Sequence, residues 1–166
     1  MARHHEWGAR SLEALATCTP QARTLARAIL DRVPFDCRII QGHRGRTEQE
    51  AAFASGNSRA KYGQSPHNRS PSWAFDLVPL LDVDKDGDTE IAIREASGRE
   101  VDARGTGPVS EAYRQLVQAV AAASAAEGIP ARSGGDWDRD GDLTDNRLYD
   151  PAHVEVIGWE AVEAAP

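Results

Sequence analysis

Two histidines and two carboxylates in this chain have the types and spacing for metal chemistry. His67 lies in Ser65-Pro-His-Asn-Arg-Ser-Pro-Ser-Trp-Ala-Phe-Asp76, and His153 in Asp150-Pro-Ala-His153-Val-Glu155-Val. Neutral imidazole nitrogen and carboxylate oxygen suit Zn²⁺, and three protein ligands with a fourth position open make a catalytic site. Asp76 sits in the apolar run Trp73 to Val78, where an unpaired carboxylate is costly to bury and a cation removes the cost. His67, Asp76 and His153 are therefore the expected zinc ligands. Asp150 precedes His153 by one turn's length and is expected beside the metal without binding it, free to handle a proton. Ser65 either hydrogen-bonds a substrate or braces its loop.

The elements that must position these residues follow from local pattern. Residues 57 to 72, rich in Ser, Asn, Gly and Pro, form an irregular loop that brings His67 in. Asp76 enters a β-like run, and His153 begins another on a neighbouring strand. Alternation puts His153, Glu155 and Ile157 on one strand face and Val154 and Val156 on the other. Glu155 then either holds a ligand histidine in its tautomer or pairs with an arginine. Upstream, a short helix fits Ser11 to Ala16. Thr19-Pro20 is an N-cap and first-turn pair for a second helix, with Ala22, Leu25, Ala26, Ile29 and Val33 on one face. Phe35 to Ile40 reads as a buried strand. Thr47 is expected to cap a third helix that stops at Gly56. Val109 to Glu127 is the clearest helix, with a stripe of Tyr113, Leu116, Val117, Val120 and Ala121 and a stop at Gly128. The whole is an α+β chain, a small antiparallel sheet flanked by helices with the zinc site at the sheet.

Three further segments carry charge. Gly42-His43-Arg44-Gly45-Arg46 is a basic turn suited to a carboxylate, which Arg grips with a planar fork. His43 and Arg44 are its candidate ligand contacts, a solvated turn without a ligand is the alternative, and Arg46 reads as a surface residue. Asp82, Asp84, Asp86 and Gly87 match the first half of a calcium loop, but Ile93 stands where the closing Glu belongs. The following residues read as a surface β-hairpin around Ser97-Gly98, inserted over 80–107. Asp136, Asp138, Asp140, Gly141, Asp142 and Asp145 make a second incomplete calcium loop. Zn²⁺ is thus the expected cofactor, with Ca²⁺ a candidate at either acidic loop.

Ser65-x-His67-Asn-x-x-Pro-Ser-x-Ala-x-Asp76, preceded by Gly-His-Arg44 and Gln49 and followed by Gly-Gly-Asp-Trp137 and Asp150-x-x-His153, resembles the phage peptidoglycan peptidases. These belong to the zinc-dependent superfamily of L-alanyl-D-glutamate endopeptidases and D-alanyl-D-alanine carboxypeptidases and dipeptidases. The resemblance spans residues 12 to 157 in the family's motif order. It implies the D-Ala-D-Ala peptidase/hedgehog-like fold and a phage-type endolysin that hydrolyses the L-alanyl-D-glutamate bond of peptidoglycan stem peptides. It also implies a catalytic role for Arg44 beside Asp150, a substrate-facing Gln49, and a site wall at Trp137. The chain departs from the family's pattern at Ser133 and Val154, where relatives commonly carry Trp and an aromatic residue. Two alternatives stay open: a D-alanyl-D-alanine carboxypeptidase, and a non-catalytic wall- or calcium-binding module with a vestigial metal site.

Composition narrows the partners. At 166 residues one catalytic domain and a monomer are expected. A net charge of −7 with no basic, aromatic-interleaved stripe argues against nucleic acid. No apolar run approaches membrane-spanning length, so membrane insertion is not expected. The first residues lack the apolar core of a secretory signal, which implies synthesis in the host cytoplasm and action on the wall after release. His4 and His5 read as frayed terminal residues, and Trp159 to Pro166 as peripheral. Cys18 and Cys37 are too few for a disulfide framework and read as buried thiols.

Overall fold

The computed structural model describes residues 5–166. His4 lies outside them. His5 is docked, not frayed: its Nδ1 is 2.8 Å from Asp36 Oδ1 and its carbonyl accepts from Arg27 at 3.0 Å.

Among the described residues, four α-helices and five strands follow in an α+β order: α1 (Ala9–Ala16), α2 (Pro20–Leu30), β1 (Cys37–Gln41), α3 (Arg46–Ala54), β2 (Ala74–Leu81), β3 (Glu90–Ile91), α4 (Pro108–Glu127), β4 (Ala131–Gly134) and β5 (Asp150–Val156). The main sheet runs β1-β2-β5-β4, with every pair antiparallel, and β3 pairs the far end of β2. Helices α1, α2 and α4 pack against it, α2 also against α4. Phe75 and Val154, register partners on β2 and β5, are buried in this core with Leu25, Ile29, Leu116 and Val120. Alternation then puts Asp76, His153 and Glu155 on the opposite face of those two strands.

Local chemistry explains most boundaries. Thr19 caps α2 by accepting from the Ala22 N–H at 3.2 Å, and Pro20 opens it. Gly128, at φ 64°, ends α4 in the left-handed conformation that glycine adopts freely. Helix α3 begins earlier than expected. Glu48 reaches back to the Gly45 N–H at 3.2 Å, so Gly45 is the N-cap and Thr47 lies inside the first turn. On α4 the stripe continues through Ala119 and Ala123, while Ala121 faces solvent. Within 80–107, where a surface hairpin is expected, Glu90–Ile91 of the first arm pair with β2 as β3. Only a single bridge, Arg94 to Glu100, closes the turn at Gly98.

Two irregularities shape the site. Strand β1 carries a bulge between Ile39 and Gln41, leaving Ile40 exposed and setting Gln41 opposite Asp76. Bulges of this kind re-aim the chain beside functional sites. The next residue, Gly42, passes so close to α1 that a Cβ there would lie 2.3 Å from Thr17 Oγ1 and 2.4 Å from the Ala14 carbonyl. No larger residue fits without displacing the backbone.

Candidate metal centre

Asp76 and His153 occupy directly opposed positions on β2 and β5. His67 arrives from outside the sheet on a single 3-10 turn, Pro66–Asn68, whose start is capped by Ser65 Oγ accepting from the His67 N–H at 3.3 Å. The three side chains converge. His67 Nε2 is 3.2 Å from Asp76 Oδ1 and 3.3 Å from His153 Nδ1, and His153 Nδ1 is 3.4 Å from Asp76 Oδ1.

The far nitrogens decide what those atoms carry. His67 Nδ1 lies 2.7 Å from the Gly42 carbonyl, which only accepts, so Nδ1 holds the proton and Nε2 presents its lone pair. His153 Nε2 lies 2.8 Å from Glu155 Oε2. Burial opposes charge on Glu155, but His153 and Arg132 outweigh it and lower its pKa. An ionised Glu155 accepts a hydrogen bond from His153 Nε2–H, so Nδ1 is the atom that His153 turns toward a cation. Three electron-rich atoms thus form a nearly equilateral triangle. A shared proton satisfies one edge of it; a tetrahedral cation with ligand bonds of about 2.0–2.1 Å, whose ligand–ligand edges are about 3.3–3.4 Å, satisfies all three. The residues fit a metal ion, and His67, Asp76 and His153 form a group that could hold one.

The electrostatics agree. Burial works against charge on Asp76, yet the two imidazoles hold its carboxyl well below the usual carboxylate range. Burial also works against charge on His153, but Asp76 and Glu155 raise its imidazole to about 10, so without a cation Nδ1 binds a proton where a metal ion would otherwise sit. The site is built to hold positive charge.

Glu155 resolves the choice left open by sequence by making both contacts. Its Oε2 faces His153, while its Oε1 accepts from Arg132 Nε at 2.7 Å and Trp159 Nε1 at 3.1 Å. Asp150, at the start of β5, is open to solvent. Surrounding protein atoms still strip water from its carboxyl, and this desolvation, with the nearby Asp76 charge, raises its pKa. Its exposure limits the effect. Gly134 packs against the Asp150 backbone, where a Cβ would lie 2.3 Å from the carbonyl oxygen. That glycine serves strand contact more directly than close approach to a substrate.

The expected substrate residues divide. Arg44 stands at the site: its guanidinium is 3.5 Å from Asp76 Oδ2 and donates to Gln49 Oε1 at 3.3 Å, and its N–H donates to the His67 carbonyl at 2.8 Å. His43 lies beside it, its Nε2 buried without a partner among the described residues. Trp137 stacks on His153, ring centres 5.6 Å apart at 27°, and its Nε1 donates to the Leu148 carbonyl. Gln49 does not fit a substrate-facing role. It is 0% exposed, and its amide is spent on Arg44, Asn68, Ser58 and Ala60. Ser65 is likewise buried, and its hydroxyl braces the ligand turn. Asn68 escaped notice in the sequence. It is fully buried and donates to the Arg44 carbonyl and Gln49 Oε1, joining the basic turn to the ligand loop. Its position directly after His67 was the available signal.

Both acidic loops gather their carboxylates. Ligand atoms of Asp82, Asp84 and Asp86 lie within 4.8 Å of one another, as do those of Asp136, Asp138 and Asp140. All three of the first set are exposed. In the second, Asp136 is only 8% exposed, and its Oδ1 has no partner among the described residues. Cys18 and Cys37 are free and buried, and burial pushes the Cys18 thiol up to about 11. No helix among the described residues is long and apolar enough to cross a membrane.

No family model matches the chain. It is 28% identical over 155 residues to the L-alanyl-D-glutamate peptidase of Escherichia phage T5, an alignment covering 92% of this chain and 98% of the phage protein. Its fold is similar to that of the L-Ala D-Glu endopeptidase ChiX of Serratia marcescens, with a TM-score of 0.61 at 20% identity, over 93% of this chain and 91% of that one. The resemblance to L-alanyl-D-glutamate peptidases read from the motifs is present along nearly the whole chain.

Proposed function

We propose that this chain is a zinc peptidase that hydrolyses peptidoglycan stem peptides at the L-alanyl-D-glutamate bond, in a phage-type endolysin role. The observation that carries the reading is the triangle of His67 Nε2, Asp76 Oδ1 and His153 Nδ1, each edge 3.2–3.4 Å. The phage relative's name supplies the bond and the setting.

Zn²⁺ held by these three side chains supplies Lewis acidity to the peptide carbonyl and to water. The remaining work falls to the chain. The Gly42 carbonyl and Glu155 hold the two imidazoles in the tautomers that present lone pairs. Asp150, solvent-accessible and in the same electrostatic field as Asp76 and His153, takes the proton of the attacking water on a carboxylate oxygen. It then passes that proton to the departing amine nitrogen, a role contributing about 10²–10⁴-fold. Arg44, whose guanidinium lies beside Asp76, meets a stem-peptide carboxylate or the oxyanion. Trp137, stacked on His153, forms the adjoining wall.

Calcium is proposed at the second acidic loop only. An orphaned oxygen on the buried Asp136 is costly without a cation, and neighbouring Asp138 and Asp140 complete a hard-oxygen donor set. Digestion of purified peptidoglycan tests the enzymatic reading. Solubilisation should stop on chelation and return on adding zinc; intact wall under every condition would sink it.

A further inference from the structure

Of the three metal-site side chains, His67 alone is not fixed by strand pairing. It rides on a three-residue 3-10 turn, so something outside the sheet must hold that turn still. The residues directly after it do so by engaging the segment 159–165. Arg69 is 6% exposed and forms no ion pair among the described residues. Its guanidinium instead donates to three backbone carbonyls, Val162 at 2.8 Å, Gly63 at 2.8 Å and Ser65 at 3.0 Å, and lies 4.6 Å over the Trp159 ring. The Asn68 carbonyl accepts from the Ala165 N–H at 3.0 Å, and the Ala165 carbonyl accepts from the Tyr62 hydroxyl. The segment expected to be peripheral is therefore laced across the outer side of the ligand loop. Trp159 also donates to Glu155, the residue that orients His153, so one segment touches the supports of both histidines.

We propose that residues 159–165 act as a strap, buckled by Arg69, that positions His67 for the metal; this rests on the metal-site reading above. Arg69 is a positioning residue and touches neither metal nor substrate. A buried guanidinium satisfied by carbonyls from both the loop and the strap couples the two, since losing one side leaves charged donors unpaired. With the strap released, the turn is held only from the Gly42–Arg44 side, and His67 is less firmly placed against Asp76 and His153.

Two substitutions test this on the full chain. Ala165→Pro removes the N–H donated to Asn68 and leaves the ligand loop's own residues intact, while Arg69→Gln removes the buckle. Both should lower zinc affinity about 10–100-fold in chelator competition, the range for partners that orient metal ligands. With cobalt in place of zinc, the intense visible bands of a tetrahedral site should weaken as water replaces His67. Turnover should fall with KM unchanged. Ala165→Pro guards against a folding defect in Arg69→Gln, because it removes a single backbone donor near the end of the segment and leaves the buried guanidinium satisfied. Zinc affinity and cobalt spectra equal to wild type in both variants would overturn the strap alone. A wild type that takes up no metal would overturn the metal site, and the strap with it.

Discussion

Asp76 and His153 face each other directly across β2 and β5, so the antiparallel register itself fixes two corners of the triangle they form with His67. Each of His67→Ala, Asp76→Ala and His153→Ala should reduce bound zinc from about one equivalent per chain to a small fraction and abolish hydrolysis. Elemental analysis of the purified variants checks this. Full zinc in any two of them would remove the ligand assignment.

Glu155 is buried and divides its carboxylate between His153 and Arg132. Glu155→Gln keeps the shape but offers no negative charge to either partner. Metal affinity should fall about 10–100-fold, with a loss of stability as well, because Arg132 loses its buried counter-charge. Competition with a chromophoric chelator measures the first effect and urea unfolding the second. Unchanged affinity would reduce Glu155 to a structural ion-pair partner.

Asp150→Asn separates catalysis from metal binding. The amide matches the carboxylate in size but cannot accept the proton, so turnover should fall at least about 10²-fold while zinc content and fold stay intact. Near-wild-type activity would place the proton acceptor elsewhere. Arg44→Ala should show the complementary pattern, weaker substrate binding with zinc retained, although its contact with Asp76 predicts some change in metal affinity too.

The parts of this site legible in sequence are those set by short-range chemistry. Ligand type and order marked His67, Asp76 and His153, period-two alternation put Glu155 beside His153, and Thr19-Pro20 marked a helix start. What sequence missed depends on distant partners. Gln49 reads as substrate-facing until Asn68, Arg44, Ser58 and Ala60 are seen to close over its amide. The α3 cap is the local exception: Glu48 reaches back three residues to the Gly45 N–H, so the helix starts before Thr47. The strap was invisible because Arg69 bonds to backbone carbonyls, which leave no trace in side-chain identity.

Calcium should raise the melting temperature, because a ligand that prefers the native state stabilises it. Half-saturation should fall near 10⁻⁴–10⁻³ M, roughly the range of weak sites, and Asp136→Ala should abolish the shift. Scanning calorimetry at 0 and about 10 mM Ca²⁺ (tenfold above that range) suffices. No shift in the wild type would leave the loop a plain acidic turn.

End-group analysis of digested wall tests the central claim most directly. Zinc-loaded protein is incubated with purified peptidoglycan, and the newly freed amino termini are identified by labelling and mass spectrometry. The account predicts new D-glutamate amino termini matched by L-alanine carboxyl termini, appearing with the wild type and not with Asp150→Asn. Release of free D-alanine without new glutamate termini would instead make the protein a carboxypeptidase, and no new termini at all would contradict a peptidase role.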